Sequence, residues 1–308
     1  MKKKIGLIIV FSMIVGLLAS LALATPLLDN DMLNEIVEIE SNNIGFELPG
    51  GYEPSGAVWN PLQEKLYIVS DDGEISSMDS NGENLENFYV GGDLEGVTIT
   101  KPRRDYLYVL VESPDTIKEF SLETESFTGK QWTLTSWLHG SDNQGAEAIT
   151  WIPKRHHNFD VSGGVFAVGL QEDGKVYFFS VDLRSSESVE YLDSMNIEFE
   201  GRTIGSDISG MQYNRVSRTL FVIADSYNSL VGLQLDRDSG EWEEVAEYSL
   251  PGNNQEGITF MLNGDDATGS MFVAEDDEEL YRYDVSIVDN IIEEYVLDWF
   301  ESLTGHRR

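Results

Sequence analysis

Cysteine is absent from the 308 residues of this chain. That absence excludes disulfides, thiolate nucleophiles, thiolate metal sites and lipid attachment through sulfur. Positive charge is scarce: 20 Lys and Arg stand against 55 Asp and Glu, a formal net charge of -35. A polyanion gains nothing by approaching such a surface, which argues against nucleic acid as a partner. The same balance argues against adsorption to anionic lipid through a basic patch. Most of the acids read as a solvated surface suited to salty or divalent-rich surroundings. The four histidines, His139, His156, His157 and His306, show no metal-ligand spacing. No H-E-x-x-H, G-x-S-x-G or P-loop pattern occurs, and no serine has a visible base partner.

Long apolar runs are absent too, with one exception at the start. Lys2-Lys3-Lys4 precede an almost wholly apolar stretch from Ile5 to Leu23, and Ala22-Leu23-Ala24 is an A-x-A cleavage signal. Residues 1–24 therefore read as a signal peptide or, being just long enough to span a bilayer, a membrane anchor. The domain is expected outside the cytoplasm, either released into the periplasm or medium, or anchored to the inner membrane. This segment is its one expected membrane contact. Residues 25–45 read as a leader, 46–285 as a repetitive domain and 286–308 as a tail. In the tail, Ile292, Tyr295, Val296, Trp299, Phe300 and Leu303 recur at helical spacing, which predicts an amphipathic helix. Such a face packs on the domain's side or docks a partner.

One phrase recurs five times in the repetitive part. It reads Glu53-Pro54-Ser55-Gly56, Asp93-Leu94-Glu95-Gly96, Gly145-Ala146-Glu147-Ala148, Asp207-Ile208-Ser209-Gly210 and Asn254-Gln255-Glu256-Gly257. Each copy leads into a second apolar segment, such as Leu66-Tyr67-Ile68-Val69 or Leu220-Phe221-Val222-Ile223. Repetition at this period means radial or solenoid architecture. The second copy continues as four short strands joined by polar turns, which is one propeller blade. The fold class is thus all-β, a five-bladed β-propeller with a C-terminal amphipathic helix. A sixth blade would have to lie before Glu53 or after Val285, where the phrase is missing. The segment Ile44 to Leu48 is expected to close the ring by completing the last blade. Insertions at Ser136 to Gln144, Lys154 to Gly163 and Arg184 to Gly205 are expected to build a binding face, since propeller loops cluster at the ends.

The repeat puts equivalent side chains around one axis. Glu95, Glu147 and Glu256 share a slot that Ser55 and Ser209 fill in the other copies. Three converging carboxylates repel one another unless protonated or neutralised by a cation. Oxygen donors without thiol or imidazole suit a hard ion, calcium first. A second slot follows each middle strand, at Asp71, Glu112, Glu172, Asp225 and Glu275; Glu112 and Glu275 are the further metal candidates. The plainer alternatives are that the slot glutamates cap backbone amides within their own blades and that the second set are turn residues. Gly56, Gly96, Gly210 and Gly257 would then allow a turn or a close approach of backbones. Asp236-Arg237-Asp238-Ser239-Gly240-Glu241 looks like a calcium loop but lacks the EF-hand closing glutamate, and reads as an outer β-turn.

The segments YEPSGAVWNPLQEKLYIVSDDGEISSMDSNG, DLEGVTI, DISGMQYNRVSRTLFVIADSYNSLVGLQLD and NQEGITF resemble the bacterial SdiA-regulated (YjiK-like) family over residues 40 to 285. The resemblance implies a five-bladed propeller distantly similar to NHL-repeat proteins, an envelope location, a bound calcium ion and no established enzymatic activity. In one branch it implies calcium-dependent homeostasis. The reading that follows is a monomeric, non-catalytic calcium-binding module that presents a face to a protein or small-molecule ligand. Its rival is a metal-dependent hydrolase of the lactonase or phosphoesterase type, with a carboxylate such as Glu112 or Glu275 as base.

Overall fold

The computed structural model describes residues 41–286, apart from 103–104, 141–143, 186–187, 200–201, 204, 206, 264–267 and 277. The N-terminal apolar stretch and the C-terminal helical pattern lie outside the described residues. Five four-stranded antiparallel sheets follow one another along the chain. Blade 1 runs through Pro54–Asn60, Lys65–Ser70, Glu74–Met78 and Glu86–Tyr89, from the axis outwards. Blade 2 comprises Asp93–Thr98, Tyr106–Glu112, Thr116–Ser121 and Ser126–Thr133. Blade 3 comprises Ala146–Ile152, Val165–Leu170, Lys175–Val181 and Val189–Asn196. Blade 4 comprises Ile208–Asn214, Thr219–Ala224, Ser229–Leu235 and Trp242–Ser249. Blade 5 takes Gln255–Leu262, Thr268–Glu275 and Glu279–Ser286, and its outermost strand comes from Ser41–Asn43.

The inner strands touch in a closed ring, with blade 5 against blade 1. Closure is made by Ser41↔Tyr283, Asn42↔Arg282 and Asn43↔Tyr281. The closing strand therefore ends where Ile44 to Leu48 was expected to begin one. Gly45 and Leu48 turn the chain instead, with the Leu48 amide donating to the Gly45 carbonyl at 2.9 Å.

Each second strand is buried on both faces, because each blade is covered by its neighbours. That explains their near-continuous apolar sequence. The buried residues form five clusters, one between each adjacent pair of blades. Every Phe or Leu enclosed there contributes roughly 1.5–3 kcal/mol. Outer strands such as Ser126–Thr133 and Trp242–Ser249 alternate or are exposed. Aspartates close the tight turns: Asp79 Oδ1 accepts the amides of Asn81 and Glu83 at 2.9 and 3.0 Å. Asp236 does the same for Asp238 at 2.7 Å, so the calcium-loop look-alike is a turn. The insertions do not gather at one end. Lys154 to Gly163 links an inner strand to a second strand, whereas Ser136 to Gln144 leads into an inner strand at the other end.

Candidate metal centre on the propeller axis

All five inner strands carry an irregularity at the same place. Pairing with the second strand skips Ser55, Glu95, Glu147, Ser209 and Glu256. Each slot residue is thus the extra residue of a β-bulge, and a bulge re-aims a side chain that regular pleating would send into the sheet. The following glycine exists for crowding at the axis. A Cβ on Gly96 would lie 2.9 Å from the carbonyl oxygen of Glu147, and one on Gly257 would lie 2.8 Å from Gly56 Cα. Close approach, rather than a turn, is what these glycines provide.

Ladder register fixes the second ring. The residues facing the last pair before each bulge are Ser70, Val111, Leu170, Ala224 and Glu275. One residue further on lie Asp71, Glu112, Gln171, Asp225 and Asp276. Sequence spacing placed Glu172 one residue late and Glu275 one residue early. The structure puts neither in the axial cavity; Gln171 and Asp276 line it instead. Glu275 as a metal ligand is therefore corrected. It sits 2 % exposed against the Gly252 turn, outside the cavity. A third ring, missed in the sequence reading of the site, precedes the bulges: Glu53, Asp93, Gly145, Asp207 and Asn254. The repeat phrase itself held that signal, since Asp93 stands two residues before Glu95.

The cavity measures about 160 Å³ and is lined by Ser55, Asp71, Asp93, Glu95, Glu112, Glu147, Gln171, Glu256 and Asp276. No Lys, Arg or His lines it. Blade 4 contributes nothing to the lining, because its acids are engaged elsewhere. Asp207 Oδ2 accepts the amide of Ser226 at 2.7 Å and its hydroxyl as well. Asp225 Oδ1 accepts the Gln255 amide at 2.8 Å. Ser209 donates to the Gln255 carbonyl at 2.5 Å. In blade 2, by contrast, Asp93, Glu95 and Glu112 bring carboxylate oxygens within 4.8 Å of one another. Glu112 is also anchored by the Gly145 amide at 2.7 Å.

Electrostatics in this cavity are unfavourable without a cation. Burial, then the adjoining Glu147 carboxylate, pushes Glu95 far above the ordinary carboxylate range. Burial also raises Glu147, while its hydrogen bond with Glu95 pulls the other way. Both carboxyls are thus held above the ordinary range, and burial beside a second carboxylate favours at least one proton on the pair. Glu256 is pushed up to about 9 by burial and by the Asp276 carboxylate. Glu112 is raised by burial. Asp71 Oδ1 and Gln171 Oε1 are buried without any hydrogen-bond donor. Acceptors without donors, on the wall of a carboxylate cage, fit a hard cation. The absence of nitrogen and sulfur donors disfavours zinc. At about 30 Å³ per water, the cavity accommodates one ion with a few waters.

No family model matches the chain, and no curated protein matches it in sequence. Solved structures do match in shape. The glutaminyl cyclase of Myxococcus xanthus aligns with a TM-score of 0.54 at 11% identity, over 82% of this chain and 97% of that one. A luciferin-regenerating enzyme aligns with a TM-score of 0.50 at 8% identity, over 82% of this chain and 98% of that one. Such identities establish the β-propeller fold alone. The SdiA-regulated resemblance gains no support from sequence comparison; the propeller it implied is present.

Proposed function

We infer that the chain is an exported, non-catalytic β-propeller that binds calcium on its axis and presents a ligand- or protein-binding surface. The ion would be held by Asp93, Glu95, Glu112 and Glu147, with Glu256 and Asp276 across the cavity. The observation that carries this reading is the convergence of Asp93, Glu95 and Glu112 within 4.8 Å, in a cavity without a basic residue. Oxygens that close all lie within about 2.8 Å of a common point, so a small side-chain adjustment brings each to calcium's coordination distance of about 2.3–2.6 Å. The charge of the ion would then offset the repulsion that protonation offsets without it. Export rests on the basic, apolar and A-x-A order of residues 2–24. Among the described residues no helix is long and apolar enough to cross a membrane.

The test is calorimetric titration of calcium into the chelator-stripped chain, beside a Glu95→Gln/Glu147→Gln/Glu256→Gln variant. Saturable binding that the variant lacks supports the reading. Equal binding in both, or none, returns these glutamates to a structural role. The rival is a metal-dependent hydrolase, which the fold also permits, since both structural neighbours named above are enzymes. Lactone, aryl-ester and phosphate-ester substrates, offered with and without calcium, separate the two. Calcium-dependent turnover lost in Glu95→Gln would displace the non-catalytic reading.

A further inference from the structure

The inner strands that begin at the acidic cavity end in a different chemistry. Their last residues, with the turns that follow, enclose a vestibule of about 240 Å³ lined by Trp59, Ile99, Trp151, Tyr213, Phe260 and Leu262, with Arg215 at its edge. Leu262 follows Glu256 by six positions on one strand, so the two ends lie roughly 20 Å apart. The vestibule adjoins a wider cleft of about 800 Å³, and the two share Trp151 and Arg215. The cleft adds Lys101, Lys154 and Arg184.

Positive charge gathers here in a chain of net charge -35. Arg215 is fixed by donating from Nη2 to the carbonyls of Ile99 and Thr100 at 3.2 and 2.9 Å. Among the described residues no carboxylate pairs with it. Lys154 Nζ donates to the Phe159 carbonyl at 2.9 Å rather than to an acid. Two acids do line the cleft, Asp182 and Glu190. Asp182 is held by Arg184 at 2.9 Å, and Glu190 is exposed. The local field is positive enough that His156, already lowered by burial, is lowered further by Arg218, Arg215, Arg237 and Arg155. An apolar pocket with one pre-positioned guanidinium is how proteins hold a small ligand's body and fix its head.

We propose that this end of the axis is a binding site for a small amphipathic anion. An aryl or acyl body fills the aromatic vestibule, and a carboxylate, sulfate or phosphate head bonds to Arg215, with Lys101 at the rim. The vestibule lies below the roughly 300 Å³ at which drug-sized pockets begin, so the body is one or two rings, or a short chain. The site is independent of the axial ion.

The test titrates naphthalene sulfonate and neutral naphthalene methanol into the full chain, read by quenching of tryptophan fluorescence and by calorimetry. The sulfonate should bind at least about tenfold more tightly than the alcohol, the effect of a charge-assisted hydrogen bond. Arg215→Gln should remove the preference for the sulfonate over the alcohol, and Arg215→Lys should restore part of it. Calcium binding should be the same in both variants. Lys101→Gln, an exposed change that leaves the fold intact, should weaken the sulfonate by about two- to fivefold. Equal affinity for anion and alcohol in the unaltered chain would overturn the proposal, as would binding of neither at ~10 mM. An anion affinity untouched in Arg215→Gln would overturn it too. So would binding that emerges only when the chain is ended at Ser286, because the occupant would then be the chain's own tail.

Discussion

The two mouths of the propeller channel are built from the same five strands and share almost no chemistry. At the start of each strand a bulge turns one side chain to the axis, and those positions hold Glu95, Glu147 and Glu256. Further on, after three regularly paired residues, three of the strands deliver Trp59, Trp151 and Phe260. The bulge makes this separation possible. In a strand with unbroken alternation the slot residue would pair in the ladder and point to a face of the sheet rather than to the axis. One skipped residue changes which face the remainder presents. Changes at one mouth should therefore leave the other mouth's ligand undisturbed, and each substitution below strains that expectation.

The largest effect is expected from Glu95→Gln combined with Glu147→Gln. Glutamine has the shape of a protonated glutamate, the form that burial and the neighbouring carboxylates favour at Glu95 without an ion. The ion-free melting temperature should stay nearly the same. The calcium-induced rise, worth about 2.7 kcal/mol at an ion concentration of 100 Kd, should vanish. Calorimetry or a thermal scan with and without calcium decides it. A full calcium response in the double variant would remove the ion from this mouth.

Acidity gives an effect of comparable size, with opposite signs for the free and ion-bound protein. Glu256 in the ion-free fold keeps its proton up to about 9, against an ordinary value of 4.5. Between those values the native state binds more protons than the unfolded chain, so stability falls as pH rises. The contribution is fully present below pH 4.5 and is lost as pH climbs through about 9. Ion-free protein should lose roughly 2–4 kcal/mol between pH 5 and pH 8. Calcium affinity should rise over the same window, because the ion needs the deprotonated cage. Titration in two buffers of different ionisation enthalpy would count the protons released. A flat ion-free stability profile would show that Glu256 is not held protonated.

The comparison of the two mouths also shows what a sequence discloses. The repeat phrase was visible because a propeller must place the same bulge and the same close approach in every blade. Ser55, Glu95, Glu147, Ser209 and Glu256 could thus be aligned by eye. The second ring was legible only to within a residue, since a turn of variable length hides register. Gln171 and Asp276 emerged once the ladder pairs were known. The same register removed two candidates that spacing had retained, Glu172 and Glu275. The far mouth was illegible. Lys101, Lys154, Arg184 and Arg215 are scattered over the chain, and a net charge of -35 concealed their convergence.

A milder perturbation acts on the ring itself. Gly257→Ala would place a Cβ 2.8 Å from Gly56 Cα and 2.9 Å from the Ala57 nitrogen. That neighbouring backbone cannot yield cheaply, so a loss of about 1–3 kcal/mol is expected, with a weaker calcium site as the blades part. Blade 3 shows how the ring accepts a Cβ. Ala148 stands in the glycine position, and its ladder partner is Gly169, whereas Gly56, Gly96 and Gly210 face Val69, Leu110 and Ile223. Gly257→Ala brings no such exchange, because Ala274 already faces it. A chemical melt of the variant, with Ala148→Gly as the control, measures the difference.

The smallest effect tests the comparison within the acidic mouth. Asp93 and Asp207 occupy the same ring position in blades 2 and 4, yet only Asp93 reaches the cavity. Asp207 spends its carboxylate on the amide and hydroxyl of Ser226, and it would exchange those bonds for an ion at a loss. Asp93→Asn should weaken calcium by at least about tenfold, the scale of one charged ligand. Asp207→Asn should change affinity by less than about threefold and lower stability by about 1 kcal/mol through the weakened turn. Equal losses at the two positions would mean that the ion is centred on the axis and drawn to all five blades alike. Unequal losses in the stated order would place it off-axis against blade 2, where the Asp93, Glu95 and Glu112 oxygens already converge.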